Sequence, residues 1–499
     1  MSANASSALE PSMGDGTFLH ALRCWRDSHA AAPVDVWGVE LAKDTFDKTV
    51  SLDIIDASHA INADFMSVKP FQVDAVIGNP PYVRLRNLSP SAAHRALRVT
   101  ESHLRQPMDP SGSIWMPFTI HATSFVNPGG RLALVLPYES TYVRYGLPLW
   151  GFLGEQFGSL RIIRTRRRMF PDLLQEAVIL LAAERGGRTD TVLFETLDDV
   201  ADARLEPGSS SVDVDLGRLV QGDRIFHEAE LTQGLTELLN RVRPMLAPAH
   251  KNIAFRIGYV SGDKGFFHPD AKTCRKRALP GTSLRSSLVS GRSLRRAGLH
   301  TSGVQSDQVA NLWLPDSDNL TSQEASYVRL GEKSSIHLRY KCRIREPWYA
   351  VPGVRTPDCV LPVFANNPTL MLNDAAYAAS NSILCGYLHH GVSGKDLAAA
   401  WYTSLTLLEI ELKVHALGGG VLVFVPQEAG KIELPSAASG SEAHLTALDE
   451  CLKSGDPDAA FALGDKVVLE GQLGLSSDDV QAIRDGVRSL RAWRQKRHD

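Results

Sequence analysis

Short apolar runs alternate with helix-patterned stretches through the first part of the chain, and that alternation leaves few folds open. Val34–Val39, Val73–Ile77, Arg131–Pro137, Leu160–Thr165 and Ala177–Ala183 have the length and apolar content of buried strands, while Lys43–Leu52 has helical spacing. Strands separated by helices pair mainly in parallel, because a parallel pair needs a long crossover connection, and the helices then cover both faces of the sheet. The expected class is α/β, with ligands bound outside the carboxyl ends of the strands. The stretch Leu205–Ser211, reading LEPGSSS, has the composition of a connector. The expected organisation is a first domain over 1–204, a linker over 205–216 and a second domain over 217–499.

The most informative residues follow the second of these runs. Val73–Gly78 reads as a buried strand and leads directly into Asn79-Pro80-Pro81-Tyr82. Two prolines stiffen the segment and remove two backbone donors, which leaves it rich in acceptors. The Asn79 side-chain carbonyl and the Pro80 backbone carbonyl are two acceptors beside an aromatic face, Tyr82. A planar NH2 group on a π-system fits that set, with its hydrogens held and its lone pair localised towards an electrophile.

Upstream, Leu9-Glu10-Pro11-Ser12-Met13-Gly14-Asp15-Gly16-Thr17-Phe18 reads as a tight turn that brings backbone close to a ligand, with Leu19, Leu22 and Trp25 on the helix after it. Glu40 ends a strand, where an acid commonly holds a ribose diol. Asp64-Phe65 precedes the Val73 strand; an acid there accepts from an adenine amino group while the ring stacks. In order, these pieces form a nucleoside-shaped pocket beside an amino-group clamp.

The combination resembles the gamma-class DNA adenine-N6 methyltransferases of restriction–modification systems, over about Glu10–Ala183. The resemblance implies a Rossmann-like catalytic domain dependent on S-adenosyl-L-methionine, followed by a carboxyl-terminal mixed α/β domain that recognises DNA sequence. It assigns cofactor binding to Glu10, Pro11, Gly14, Gly16, Phe18, Glu40, Asp64, Phe65 and Asn79, and catalysis to Asn79, Pro80 and Tyr82. Asn127-Pro128-Gly129-Gly130-Arg131 with LALVLPYE is similar to a later family segment, and Met169-Phe170-Pro171 to the one whose Phe stacks on the flipped base. Tyr82 and Phe170 thus face the target adenine. The family has a further cofactor-contacting segment ahead of the Gly-rich turn, whereas nine residues precede Glu10 here.

The formal charge of -3 excludes a uniformly basic coat for nucleic acid, but the charge is segregated. Lys251–Arg296 carries eleven Lys/Arg against Asp263 and Asp270, whereas Glu428–Asp485 is acidic. DNA contact is expected at Arg275, Lys276 and Arg277 in this basic middle. Arg164, Arg166, Arg167 and Arg168, just ahead of Phe170, are expected at the mouth of the base pocket. Arg256–Gly262 and Gly418–Glu428 resemble parts of recognition domains.

The implied reaction is direct displacement at a sulfonium methyl, which needs neither a nucleophilic cysteine nor a metal, and no cysteine follows a proline. The expected partners are double-stranded DNA and a separate restriction endonuclease, with the chain itself a monomer. Asp396 with Glu411-Leu412-Lys413 imitates a nuclease set, but those residues fall in a helical stretch whose carboxylates are expected to point outward. Protein-glutamine and RNA-base methyltransferases share Asn-Pro-Pro-Tyr yet are usually compact, so the long second domain favours duplex DNA. A non-catalytic DNA-binding specificity protein is disfavoured by the intact tetrapeptide. Six dispersed cysteines predict free thiols and a cytoplasmic protein, and no apolar run approaches the roughly 20 residues that cross a bilayer.

Overall fold

All five apolar runs form strands, and the sheet they build sets the position of everything else. In the computed structural model, which describes residues 5–29, 34–52, 54–104, 107–167, 169–170, 176–204, 207–208, 211–223, 225–417 and 420–495, the chain divides into two units, one ending at Glu230 and the next beginning at Leu231.

The first unit holds a nine-stranded sheet made of β1 (Ser7–Glu10), β2 (Asp35–Glu40), β3 (Ala60–Asn62), β4 (Val73–Gly78), β5 (Val126–Pro137), β6 (Phe157–Thr165), β7 (Ala177–Arg185), β8 (Thr191–Leu197) and β9 (Ser211–Asp215). The strand order is β3-β2-β1-β4-β5-β7-β6-β8-β9. Pairing is parallel from β3 across to β5 and between β6 and β8; β7 is antiparallel to both β5 and β6, and β9 to β8. The chain builds outward from β1 through β2 to β3, then returns to the other side of β1 with β4. That reversal opens a crevice beyond the carboxyl ends of β1 and β4.

The central strands are fully covered. Leu9, Val39, Val76, Leu136, Ile162, Val178 and Leu180 have no exposed surface, the pattern of a sheet packed on both faces. α1 (Thr17–His29) follows β1 and α2 (Lys43–Ser51) follows β2. Leu19 and Leu22 of α1 are buried, but Trp25 is 46% exposed. Successive steps of three residues fall short of a helical turn, so the third member of that series has rotated off the buried face.

The stretch expected as a linker is partly built into the sheet. Ser211–Asp215 is β9, in register with Thr191–Glu195 of β8, and the division between the units comes later, at Glu230. Val214 is buried against the first unit's core, which seats Ser211–Asp215 at the sheet edge.

The second unit is mixed α and β. An antiparallel sheet of Ile253–Ile257, Ile383–Leu388, Cys359–Pro362 and Met371–Leu372 accompanies helices that include Ser404–Lys413 and Ser477–Arg494. Ser404–Lys413 is helical as expected, but Glu411 does not point outward. It is 4% exposed and takes Arg491 (3.2 Å) and Arg494 (2.8 Å) as ion-pair partners. Asp396 instead accepts the Gly440 N–H (2.9 Å), so the two acids serve separate structural contacts. A helix buried on every side has no outward face for its carboxylates. Among the described residues no helix is long and apolar enough to cross a membrane.

Candidate active site

Strand β4 ends at Gly78, and the four residues after it lie on the crevice side of the sheet. Tyr82 is anchored: its hydroxyl donates to the Val135 carbonyl of β5 (2.9 Å), and burial pushes its pKa up, so it remains a donor. The chain beyond is pinned to a second segment, with Ile114 N–H donating to Val83 O and Leu85 N–H to Gly112 O, both at 2.9 Å. Pro80 is buried. The Asn79 side-chain oxygen is also buried and has no hydrogen-bond partner among the described residues. A buried carbonyl without a donor costs about 1–3 kcal/mol, a penalty that an incoming N–H relieves.

The end of β1 carries a matching feature. Glu10 is 2% exposed and its Oε2 is buried without a partner. Burial, reinforced by the nearby charges of Asp15 and Glu40, pushes its carboxyl up to about 9. Glu10 lies beside the clamp segment: a Cβ placed on Gly78 would stand 3.7 Å from Glu10 Cγ. Pro11 is buried next to it.

The turn after β1 is held by backbone bonds from Met13 N–H to Val39 O (2.9 Å) and from Gly16 N–H to Met13 O (2.7 Å). Gly14 and Gly16 adopt φ of +51° and +79°, in the left-handed region that favours glycine. A Cβ on Gly16 would meet Thr49 Cγ2 at 3.0 Å, while one on Gly14 would meet nothing within 4 Å, so the Gly14 side of the turn is open. Glu40, at the end of β2, accepts the Gly14 N–H (3.0 Å) and the Ala42 N–H (2.8 Å), and Thr49 donates to Gly14 O (2.7 Å). Phe18 is half-buried in the first turn of α1. Glu10, Pro11, Gly14, Gly16, Glu40 and Asn79 are therefore gathered along one edge of the sheet.

Other expected residues have different settings. Asp64 accepts the Met66 N–H through one oxygen (3.0 Å) and holds Arg95 through the other (2.5 Å), so both carboxylate oxygens are engaged. Phe65 is 4% exposed and lies among Phe118, Phe125 and His121, with ring centroids 4.6–5.1 Å away; it is a core residue rather than an open stacking face. Arg164 is not at a pocket mouth. It is buried at the end of β6, over the Tyr138 ring (4.0 Å) and paired with Glu176 (3.1 Å) and Glu230 (3.7 Å). Period-two alternation along β6 does not reveal this, because the strand is buried on both faces.

Arg166 and Arg167 are exposed just beyond β6, near Asp198 (3.5 Å) and Asp199 (3.6 Å). Arg168 lies outside the described residues. Phe170 is half-buried, and the five positions after it are likewise outside them. Arg275 and Lys276 are exposed and Arg277 half-buried at the carboxyl end of helix Ala271–Arg277 in the second unit.

A polar brace lies beside the clamp segment and has no contiguous pattern in the sequence. Arg84 reaches Glu139 (3.4 Å) and the Tyr145 hydroxyl (3.3 Å), Tyr145 donates to Glu139 (2.9 Å), and Trp115 Nε1 donates to Tyr145 (3.2 Å). The acid directly after the β5 apolar run was its one visible signal.

The strand order and the ligand edge define the α/β fold of S-adenosylmethionine-dependent methyltransferases. The comparisons agree. The model described as "Eco57I restriction-modification methylase" matches residues 38–170, and "Type II methyltransferase M.Eco57I, C-terminal domain" matches 225–469. The chain belongs to the Eco57I-like family of type II restriction–modification methyltransferases. It is 24% identical over 449 residues to the type II methyltransferase M.XhoI of Xanthomonas vasicola, covering 83% of this chain and 78% of that one. To M.PaeR7I of Pseudomonas aeruginosa it is 25% identical over 498 residues, covering 87% and 82%. The type IIL restriction–modification enzyme MmeI, solved in complex with DNA, matches with a TM-score of 0.58 at 11% identity, over 98% of this chain and 73% of that one, which speaks to fold. The type IIG endonuclease BpuSI matches at a TM-score of 0.43 and 13% identity, and this chain spans 63% of its length.

Proposed function

We propose that the chain transfers the methyl group of S-adenosylmethionine to the N6 amine of an adenine flipped out of double-stranded DNA. The carrying observation is the pair of buried, unpartnered acceptors at adjacent strand ends: Asn79 Oδ1 and Glu10 Oε2. The cofactor supplies an electrophilic sulfonium methyl. Glu10 fits its ammonium group, and the open Gly14 turn with Glu40 fits its nucleoside end. Asn79 and the Pro80 carbonyl accept from the target amine, orienting its lone pair. Tyr82, fixed to β5, offers the ring face, and Phe170 is assigned a second one. Catalysis then comes from positioning and polarisation, with the base extruded at a cost of a few kcal/mol.

The first domain is read as catalytic and the second as the one that recognises DNA sequence, with Arg166, Arg167, Arg168, Arg275, Lys276 and Arg277 contacting the duplex. A separate endonuclease cutting the same unmethylated site is the functional counterpart, and the chain acts as a monomer. The test is incubation with methyl-labelled S-adenosylmethionine and, separately, genomic DNA, total RNA and a protein extract. The expected result is label in DNA; label confined to protein or RNA would overturn the assignment.

A further inference from the structure

The second unit contains a cleft of about 740 Å³ whose lining includes Arg292, Arg295 and Arg296 but no Asp or Glu. Other exposed arginines, such as Arg166, Arg241 and Arg488, sit beside carboxylates. All three cleft arginines are exposed. Arg296 has φ +56° and its guanidinium lies against Gly455, where a Cβ would stand 2.6 Å from Nε; that contact fixes its direction. The lining also includes Asn366, Asn367 and Thr369, and Phe364, which is 57% exposed.

A concave, cationic channel with neutral hydrogen-bonding groups and one open aromatic face suits a ridge of repeating anions joined by apolar sugars. It does not suit the edges of stacked bases, which lie inside a groove and are read by protruding elements. We propose that this cleft seats one strand of the sugar–phosphate backbone of the DNA substrate, with Arg292, Arg295 and Arg296 on successive phosphates and Phe364 against a sugar. The proposal rests on the DNA reading given above, and it places backbone contact at residues other than Arg275, Lys276 and Arg277. Such contacts fix register and contribute affinity that is independent of sequence.

The experiment measures equilibrium binding of the full chain to several unrelated duplexes across a salt series. The wild type is compared with R292Q, R295Q and the triple variant R292Q/R295Q/R296Q. Each removed phosphate contact is expected to lower the slope of log affinity against log salt by about 0.9. The loss should be equal on every duplex, and R292K and R295K, which keep the charge, should keep the wild-type slope. An unchanged slope, or a loss confined to duplexes carrying one particular base pair, overturns the backbone assignment. R295Q is a single exposed substitution, so a triple variant with a lowered melting temperature leaves that arm decisive. If the wild type binds no duplex, the DNA reading fails as a whole; if it binds and the variants match it, only the cleft assignment fails.

Discussion

Asn79 and Glu10 follow or end two hydrogen-bonded parallel strands, β4 and β1, and each keeps one buried side-chain oxygen without a donor. Two such penalties side by side are the mark of a site organised for donors that arrive with ligands. In the proposed function one accepts from a target amine and the other from a cationic group.

Removing the first acceptor should cost turnover far more than cofactor affinity. Asn79→Ala is expected to lower the methylation rate by about 100- to 1,000-fold, the scale of losing one preorganised polarising group. Cofactor binding, followed by calorimetry, should weaken only modestly. Turnover near that of the wild type would remove Asn79 from the clamp.

The second acceptor makes a prediction about protons. With its carboxyl pushed up to about 9, Glu10 is protonated near neutral pH in the ligand-free protein, whereas beside an ammonium it must be ionised. Cofactor binding near neutral pH should therefore release about one proton, read as a dependence of the binding enthalpy on buffer ionisation. Glu10→Gln should abolish that release. The same shift bears on stability: the folded pKa is raised, so this contribution is complete below the ordinary glutamate range and is lost as pH rises from there towards 9. The melting temperature of Glu10→Gln should fall less steeply across that window.

The two parts of Tyr82 are separable. Tyr82→Phe deletes the bond to Val135 and should cost about 1 kcal/mol of stability while methylation persists. Tyr82→Ala also removes the ring, and about 1–3 kcal/mol of base stacking should disappear, roughly 5- to 150-fold in kcat/KM. Equal activity of the two variants would show that the ring is not used.

Glu411 is predicted to be structural. Glu411→Ala leaves Arg491 and Arg494 facing a buried gap and should destabilise the protein by about 3–5 kcal/mol in a denaturant titration. A change below about 1 kcal/mol would reopen the question of what this acid does.

The parts legible in the sequence are those whose signal is local. A buried strand running into Asn-Pro-Pro-Tyr and glycines spaced for a left-handed turn are contiguous strings, and both occupy the ligand edge. What escaped depends on residues far apart in the chain. Arg95 claims Asp64 from 31 positions away, Phe65 enters a cluster with residues beyond 117, and Arg164 meets Glu230 after a long excursion. β9 has no clear signal because it begins on the last serine of a run with the composition of a connector and carries two acids in five residues. The burial of Glu411 was hidden because a helix covered on all sides lacks the alternation of wet and dry faces that marks orientation.

The chemical identity of the methylated product decides whether Asn79 holds an adenine amine. DNA methylated by the purified protein with a labelled donor is digested to nucleosides and separated with mass detection. The expected labelled nucleoside is N6-methyl-2′-deoxyadenosine, formed at least about 100-fold more slowly by Asn79→Ala. Label in a methylated cytosine, or in no nucleoside while the protein binds its cofactor, would contradict it.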